Sequence, residues 1–497
     1  MMARAHLNLR GLLLCMAVAS CHAFVLPPVP SSGIWSRLQP TRVVAVAVES
    51  FPLHEEAATG DANAVELMLA AGFPCDARNA RGSTPLHIAA VHGHAAALTA
   101  LLDAGASPNA ANEDVNTPLH AAVGAGQLAC ARLLLSRGAD ADAVSGTGLH
   151  PLRIAARKGD ASMMSALRDA GAEMDENAVQ EAFWAAVAAV ESTPEDGQLS
   201  AEVPGLLHHV FDADLQQLLG RAKQVRNVTC MQPARDGLEP EGGLMDDALA
   251  ALPLRPGRAC DGGSCCDACS RVMFPAFATP AEVDAFLEEL QHAIVPPLHQ
   301  FSLAKCAFRD ARTTLIFVRL VERMRRAVAH EYGLPLSTVT PMQTFVSCFQ
   351  GAKDKQGGLH SDESTHREFH YSAVLYLSTR QVDFEGGSFA FSDAPEAADP
   401  PQAVGTSRVL TPLSPSKGSA VVFSSGWENM HEVEPLVSGT RFAVPSFFST
   451  CPVIPHDPPA NDAEIADELW RTLLFPKTAG DQRQFMNKWH SLLAPGR

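Results

Sequence analysis

The residues best suited to chemistry are His360, Asp362, His431 and Arg441, all in the second half of a 497-residue chain. His360 and Asp362 are two positions apart, so on an extended segment their side chains project from the same side of the backbone. They could therefore bind one ion together, and His431 could add a third ligand from a distant strand. Two histidines and one carboxylate, with other coordination positions open, are the ligand set of non-haem Fe(II) sites. The alternative is a chance His-x-Asp triplet made of ordinary surface polar groups.

Arg441 lies ten residues beyond His431 and adds an anion-binding group. Its planar guanidinium can pair with a carboxylate through two hydrogen bonds. The four residues together therefore indicate a site for a metal ion and a carboxylic acid. The structural alternative is an ion pair between Arg441 and Glu432 or Glu434 on the neighbouring strand.

Short strands must position these residues. Residues 369–377 form a run of β-forming residues that predicts a buried strand, and glycine-marked turns at Gly386, Gly418 and Gly439 each stand beside another predicted strand. Many short strands separated by turn signals predict a β-sandwich or jelly roll.

The stretch from about Thr344 to Cys451 resembles the catalytic core of the prolyl 4-hydroxylase-like 2-oxoglutarate and Fe(II)-dependent dioxygenases. It is most similar to the branch described as 2-oxoglutarate and iron-dependent oxygenase domain-containing proteins. The matching segments are His360-Ser361-Asp362, the strand ending at Ser378, residues 384–391, residues 417–425, and His431 with residues 438–442.

This resemblance implies that His360, Asp362 and His431 bind iron and that Arg441 binds the distal carboxylate of 2-oxoglutarate. It also implies a double-stranded β-helix (jelly-roll) domain with flanking helices, which hydroxylates prolyl or other residues of a protein substrate. The cofactors and co-substrates implied are Fe(2+), 2-oxoglutarate, O2 and L-ascorbate. The alternative hypothesis is an ankyrin interaction protein whose oxygenase domain is a catalytically silent scaffold.

The sequence departs from this family in the strand before His360. Residues 344–349 contain no tyrosine, although the prolyl hydroxylases usually carry one there that contacts the co-substrate. Tyr371, on the strand after Asp362, could substitute for it as a cofactor-binding residue. It could equally be a half-buried core aromatic.

An internal repeat occupies the first part of the chain. Proline-leucine pairs begin at Pro52, Pro85, Pro118 and Pro151, which are 33 residues apart, and the two middle copies match the ankyrin TPLHxA pattern. Each unit is a helix pair that cannot bury its apolar side alone, so about four stacked units supply a core. We expect the repeat histidines to be structural hydrogen-bonding groups and the concave side of the stack to bind a protein partner.

The predicted fold class is multidomain, with an all-α ankyrin solenoid followed by the jelly-roll oxygenase. We divide the chain into a signal peptide (1–23), a leader or linker (24–47), ankyrin repeats (48–176), a linker with helical segments (177–258), the dioxygenase domain (259–453) and a tail (454–497). The balance of 55 acidic against 38 basic residues opposes a nucleic-acid partner. No segment approaches the ~20 apolar residues that a transmembrane helix needs.

The first residues carry a compartment signal. Arg4 and Arg10 precede an apolar run and small residues near Ala23, the order found in signal peptides. We expect an ER or Golgi lumenal or a secreted protein. The alternative is a plastid protein, because Phe24 and the arginines after it resemble a bipartite plastid-targeting leader.

A cysteine cluster stands before the predicted oxygenase core, at Cys260, Cys265, Cys266 and Cys269. Only Cys266 and Cys269 have the spacing of a zinc-binding pair, and the second pair is compressed. Disulfide bonds are the preferred interpretation in a lumenal compartment, and zinc is the alternative.

Overall fold

The computed structural model describes residues 52–192, 200, 202–226, 228, 270–291, 300–302, 311–350, 359–360, 362, 369–393, 409–426 and 429–450. The predicted leader, the cysteine cluster and the tail lie outside these residues. None of the helices among the described residues is long and apolar enough to cross a membrane.

Four stacked helix pairs form the first part of the described chain. The pairs are α1 (Pro52–Thr59) with α2 (Ala62–Ala70), α3 (Pro85–His92) with α4 (Ala95–Asp103), α5 (Pro118–Ala125) with α6 (Leu128–Ser136), and α7 (Pro151–Lys158) with α8 (Ala161–Asp169). The first helix of each pair begins at the repeat proline, whose fixed φ suits the first helical turn. Leu86, Leu119 and Leu152 are buried between successive pairs. The predicted ankyrin stack is therefore confirmed.

The repeat histidines join one unit to the next, as the sequence predicts. The His87 Nδ1 atom accepts a hydrogen bond from the Thr84 amide at 3.1 Å. Its Nε2 atom lies 2.9 Å from the Asn116 carbonyl of the following unit, and His120 makes the equivalent bond to the Leu149 carbonyl at 3.1 Å. Burial lowers the pKa of both histidines, so each is a neutral bridging group.

Two long helices, α9 (Glu176–Glu191) and α10 (Glu202–Leu219), continue the stack where the sequence predicts helical segments of a linker. They pack against α12 (Ala311–Glu331) of the second module. The buried Asp214 carboxylate of α10 lies 2.8 Å from the Arg319 guanidinium and 3.1 Å from that of Arg323. Burial alone would raise the pKa of Asp214, but the two arginines hold it below its usual range. A desolvated ion-pair cluster therefore joins the two modules.

The second module is built from strands with helices behind them. Its elements are β1 (Gln224–Arg226), β2 (Arg271–Phe274), α11 (Pro280–Gln291), β3 (Gln300–Ser302), α12, a 3₁₀ turn (Leu336–Thr338), β4 (Thr340–Gln350), β5 (Tyr371–Tyr376), β6 (Phe384–Gly386), β7 (Phe389–Asp393), β8 (Val409–Leu413), β9 (Ala420–Ser424), β10 (His431–Val433) and β11 (Leu436–Ser449). Among the described strands, the larger sheet has the order β1-β2-β9-β5-β11-β4-β3, with β6 paired to β11, and the smaller sheet is β10-β7-β8.

The two faces of the larger sheet have different coverings. Helices α11 and α12 cover one face, and their apolar side chains belong to the same core as Tyr371, Ala373 and Leu375 of β5. The other face meets the smaller sheet across a core that contains Val374 and Tyr376 of β5. Every residue of β5 is buried because the strand has packing on both sides. Two curled sheets with helices behind one of them confirm the predicted jelly-roll architecture.

Candidate active site

Backbone pairing brings the two predicted histidine ligands together. His360 and His431 form an antiparallel bridge, in which the His360 amide donates to the His431 carbonyl at 3.0 Å and the reverse bond is 2.8 Å. The centroids of the two imidazole rings are 4.6 Å apart. The Asp362 Oδ1 atom lies 3.8 Å from His360 Nε2 and 3.6 Å from His431 Nε2. The structure thus assembles at one point the three residues that the sequence selects.

The donor set fits a divalent metal ion. Imidazole nitrogens and carboxylate oxygens bind such ions at about 2.0–2.2 Å, so ligand atoms up to about 4 Å apart can share one ion. The Asp362–histidine distances satisfy this limit, and all three candidate ligand atoms lie within 4.8 Å of one another. The side chain of His360 is 39% exposed, against 7% for Asp362 and 5% for His431. A metal ion here would therefore be accessible from the His360 side.

Two serines hold the Asp362 carboxylate in place. The Ser372 hydroxyl of β5 donates to Asp362 Oδ2 at 2.6 Å, and the Ser425 hydroxyl lies 2.7 Å from Ser372 Oγ. Because Oδ2 is engaged in this way, Oδ1 is the oxygen that faces the histidines. Such outer groups orient a ligand and tune its affinity for the metal.

His431 is held as a neutral ligand by its surroundings. Its Nδ1 atom lies 2.9 Å from the Asn429 carbonyl, so Nδ1–H donates and the lone pair of Nε2 faces Asp362 and His360. The Phe389 ring stacks on the imidazole at a centroid distance of 4.7 Å, and the Phe423 ring meets it edge-on at 5.3 Å. Burial in this aromatic pocket lowers the pKa of His431.

Arg441 is a buried cation that has no acidic partner in the part of the chain that the structure describes. Its residue is 3% exposed, and its Nε atom makes no hydrogen bond. Neither Glu432 nor Glu434 forms the ion pair with Arg441 that the sequence left open. Burial lowers the pKa of Arg441, with only the neighbouring Tyr376 acting in the opposite direction. A buried guanidinium is costly unless an anion pairs with it, so this position is suited to a carboxylate ligand.

Tyr376, which the sequence analysis did not select, faces the same space as Arg441. The Arg441 Cζ atom lies 5.7 Å from the centre of the Tyr376 ring, and the buried Tyr376 hydroxyl makes no hydrogen bond. Burial raises the pKa of Tyr376, so the phenol stays protonated and can donate to an anion. Gly387 leaves room beside this pair, since a Cβ atom there would lie 3.3 Å from Arg441 Cδ.

The structure does not bring Tyr371 to this site. Tyr371 is buried on the opposite face of β5, where its ring packs on Tyr332 of the helical layer with centroids 4.6 Å apart. Tyr371 is therefore a core aromatic residue, which is the second of the two roles that the sequence allows for it. The tyrosine beside Arg441 is Tyr376. The spacing of the two tyrosines could have pointed to Tyr376. Residues five positions apart on a strand face opposite sides of the sheet, so only one of Tyr371 and Tyr376 can face the site.

Comparisons with known proteins agree with this geometry. The sequence model of the 2OG-Fe(II) oxygenase superfamily matches residues 345–449, and that of ankyrin repeats matches residues 44–112 and 108–178. The chain is 30% identical over 137 residues to "2-oxoglutarate and iron-dependent oxygenase domain-containing protein 3" of Homo sapiens, which is 26% of this chain and 39% of the relative. It is 36% identical over 101 residues to the protein of that name in Xenopus tropicalis, covering 20% of this chain and 28% of the relative.

A second group of relatives consists of prolyl 3-hydroxylases. The chain is 35% identical to prolyl 3-hydroxylase 1 of Homo sapiens over 107 residues, which is 22% of this chain and 12% of that protein. All of these matches span well under two thirds of the length of the relatives. The chain therefore carries a 2OG-Fe(II) oxygenase domain together with ankyrin repeats, and the oxygenase family implies Fe(2+), 2-oxoglutarate and O2.

Proposed function

We propose that this protein is an Fe(II)- and 2-oxoglutarate-dependent hydroxylase that acts on a protein substrate. The observation that carries the proposal is the combination of the His360–Asp362–His431 group with the buried guanidinium of Arg441, which has no carboxylate partner among the described residues. A metal site alone would serve many reactions. A metal site together with a buried cation that has no anionic partner among the described residues suits a carboxylic acid co-substrate.

Each side chain of the site would have a separate role. His360, Asp362 and His431 would hold the iron, and the Ser372 hydroxyl would keep Asp362 bound through one oxygen. Arg441 would pair with the distal carboxylate of 2-oxoglutarate, and the neutral Tyr376 phenol would donate a further hydrogen bond to it. The bound iron would allow O2 to oxidise 2-oxoglutarate and the substrate together, so that one oxygen atom of O2 enters succinate, the other forms the new hydroxyl group, and CO2 is released.

The substrate proposed first is a prolyl residue of a protein. The similarity to prolyl 3-hydroxylases and the resemblance to prolyl 4-hydroxylases favour this substrate, with either ring carbon as the position of hydroxylation. The ankyrin repeats support a protein substrate or partner, because such stacks bind proteins on their concave face. L-Ascorbate belongs to the same proposal, as a reductant that keeps the iron in its Fe(II) form.

The test measures succinate release from the full chain with Fe(II), 2-oxoglutarate and O2, in parallel with a hydroxylation screen of protein extracts by mass spectrometry. We expect 2-oxoglutarate-dependent succinate release and products heavier by one oxygen atom. The retention time of the hydroxyproline standard would separate 3- from 4-hydroxylation. Iron binding without any 2-oxoglutarate turnover would refute the proposal and leave the scaffold hypothesis.

A further inference from the structure

A groove of about 770 Å³ runs along the concave side of the ankyrin stack. Its floor is formed by the first helices of three successive pairs, α3, α5 and α7, and its wall by the loops that precede them. Ile88, Val91, Ala121 and Ile154 give the floor an apolar character, and Val91 is 41% exposed.

The charged side chains that line this groove are all basic. They are Arg81 at one end and Arg157 and Lys158 at the other, and no Asp or Glu among the described residues lines it. This contrasts with the whole chain, in which 55 acidic residues outnumber 38 basic ones. The groove is therefore a local basic surface on an acidic protein.

These cations are available to a ligand. The Lys158 ammonium donates to the Gly124 carbonyl at 2.5 Å, and it forms no salt bridge with a carboxylate of the described residues. Arg157 pairs with Glu181 at 2.8 Å, yet its side chain remains 57% exposed. Arg81 is exposed, and no carboxylate of the described residues forms a salt bridge with it, including those of the neighbouring loop tip at Glu113 and Asp114.

We propose that this groove binds an acidic segment of a protein partner, in which apolar side chains contact the floor and flanking carboxylates meet the cations at each end. The partner is the substrate of the oxygenase, so this part of the inference rests on the proposed function. The cations of the groove would repel a basic segment, and a purely apolar segment would form no ion pairs with them.

The groove stands in a fixed relation to the oxygenase module. Helix α7 packs on α9, α9 and α10 pack on α12, and the buried Asp214–Arg319–Arg323 cluster closes that contact. A segment bound in the groove is thereby held near the catalytic module, which raises the effective concentration of a substrate residue on the same chain.

The experiment measures the fluorescence anisotropy of a fluorescein-labelled peptide, in which leucines are flanked by glutamates, titrated with the full chain. A peptide with lysines in place of the glutamates is the control ligand. We expect the acidic peptide to bind, with an affinity that falls as salt is added, and the lysine peptide not to bind. Arg81→Glu and Lys158→Glu should each weaken binding about five-fold or more, because each removes an attraction and adds a repulsion.

The matched control is Arg132→Glu, which reverses an exposed cation on α6 that does not line the groove. It changes the net charge by the same amount as Arg81→Glu and should leave the affinity nearly unchanged. Equal effects of the two substitutions, or equal binding of the two peptides, would overturn the proposal. Stronger competition by a single-stranded oligonucleotide than by the acidic peptide would overturn it as well.

A further variant separates this inference from the proposed function. Asp362→Ala removes a candidate metal ligand, and it should bind the acidic peptide as the wild type does. If the peptide fails to bind while the wild type still turns over 2-oxoglutarate, the groove inference is wrong and the hydroxylase proposal stands. If the peptide binds with the expected charge dependence but no turnover occurs, the hydroxylase proposal fails and the docking surface stands.

Discussion

Replacement of Arg441 by alanine tests whether the protein binds 2-oxoglutarate, and not only whether it binds a metal ion. The buried guanidinium has no acidic partner among the described residues, so the carboxylate that enters would supply its counter-charge. Truncating one partner of a buried, hydrogen-bonded charge pair costs about 2–5 kcal/mol, much of it from the charge left unpaired. At about 1.4 kcal/mol for each factor of ten, the affinity for 2-oxoglutarate should fall about 30-fold or more.

Two companion variants refine this expectation. Arg441→Lys keeps the charge but loses the planar fork, so it should recover part of the affinity. Tyr376→Phe removes one hydrogen bond to a charged acceptor, a loss of about 1.5–3 kcal/mol, and should weaken 2-oxoglutarate binding about ten-fold or more. The Tyr376 hydroxyl makes no hydrogen bond to the described residues, so this substitution breaks none of the hydrogen bonds that the structure shows.

The assay is isothermal titration of 2-oxoglutarate into the Fe(II)-loaded full chain under anaerobic conditions. Iron binding is measured separately and should survive in all three variants, since none alters a candidate ligand. Arg226→Ala removes an exposed cation of β1 on the same sheet and serves as the matched control. An Arg441→Ala protein with unchanged 2-oxoglutarate affinity and intact iron binding would refute the co-substrate role of Arg441.

Four further predictions concern the metal site and the scaffold. Asp362→Ala should abolish turnover and weaken iron binding while the ankyrin stack stays folded; near-normal iron-dependent activity would exclude Asp362 as a ligand. Ser372→Ala frees the second carboxylate oxygen and should lower iron affinity about 10- to 100-fold in a metal titration, whereas an unchanged affinity would remove its positioning role. Asp214→Ala removes the buried carboxylate that lies 2.8 Å from Arg319 and leaves Glu282, 2.7 Å from Arg323, as the remaining acid of the cluster. The substitution should cost about 3–5 kcal/mol in urea unfolding, and a loss below about 1 kcal/mol would contradict the view that the Asp214–Arg319 pair is desolvated. Because the pKa values of His87 and His120 are lowered in the folded stack, the unfolded chain takes up protons at these histidines before the folded chain does as the pH falls below about 6.5. The stack should therefore lose stability below that pH. Hydrogen exchange of the ankyrin segment at pH 7.5 and 5.5 measures the loss, and equal protection at the two pH values would contradict the prediction.

The sequence alone selected His360 and Asp362 as candidate metal ligands and determined the repeat architecture. His360 and Asp362 are close in the chain, and the period of the ankyrin units is visible in single residues such as Pro85 and Pro118. Both signals are local, so they depend little on how distant segments pack. The start of α11 at Pro280 is just as local, because the Thr279 amide donates a hydrogen bond to the Glu282 carboxylate at 2.8 Å.

Only the tertiary structure decided which tyrosine lies beside Arg441. Strand β5 is buried on both faces, so hydrophobic alternation carries no information about which face is turned toward the site. Tyr371 and Tyr376 lie on opposite faces, and the positions of α12 behind the sheet and of β7 in front of it assign Tyr376 to the site. The tertiary structure alone also brings Asp214 and Arg319 together, because the two residues are 105 positions apart and the sequence around one does not indicate the other as its partner.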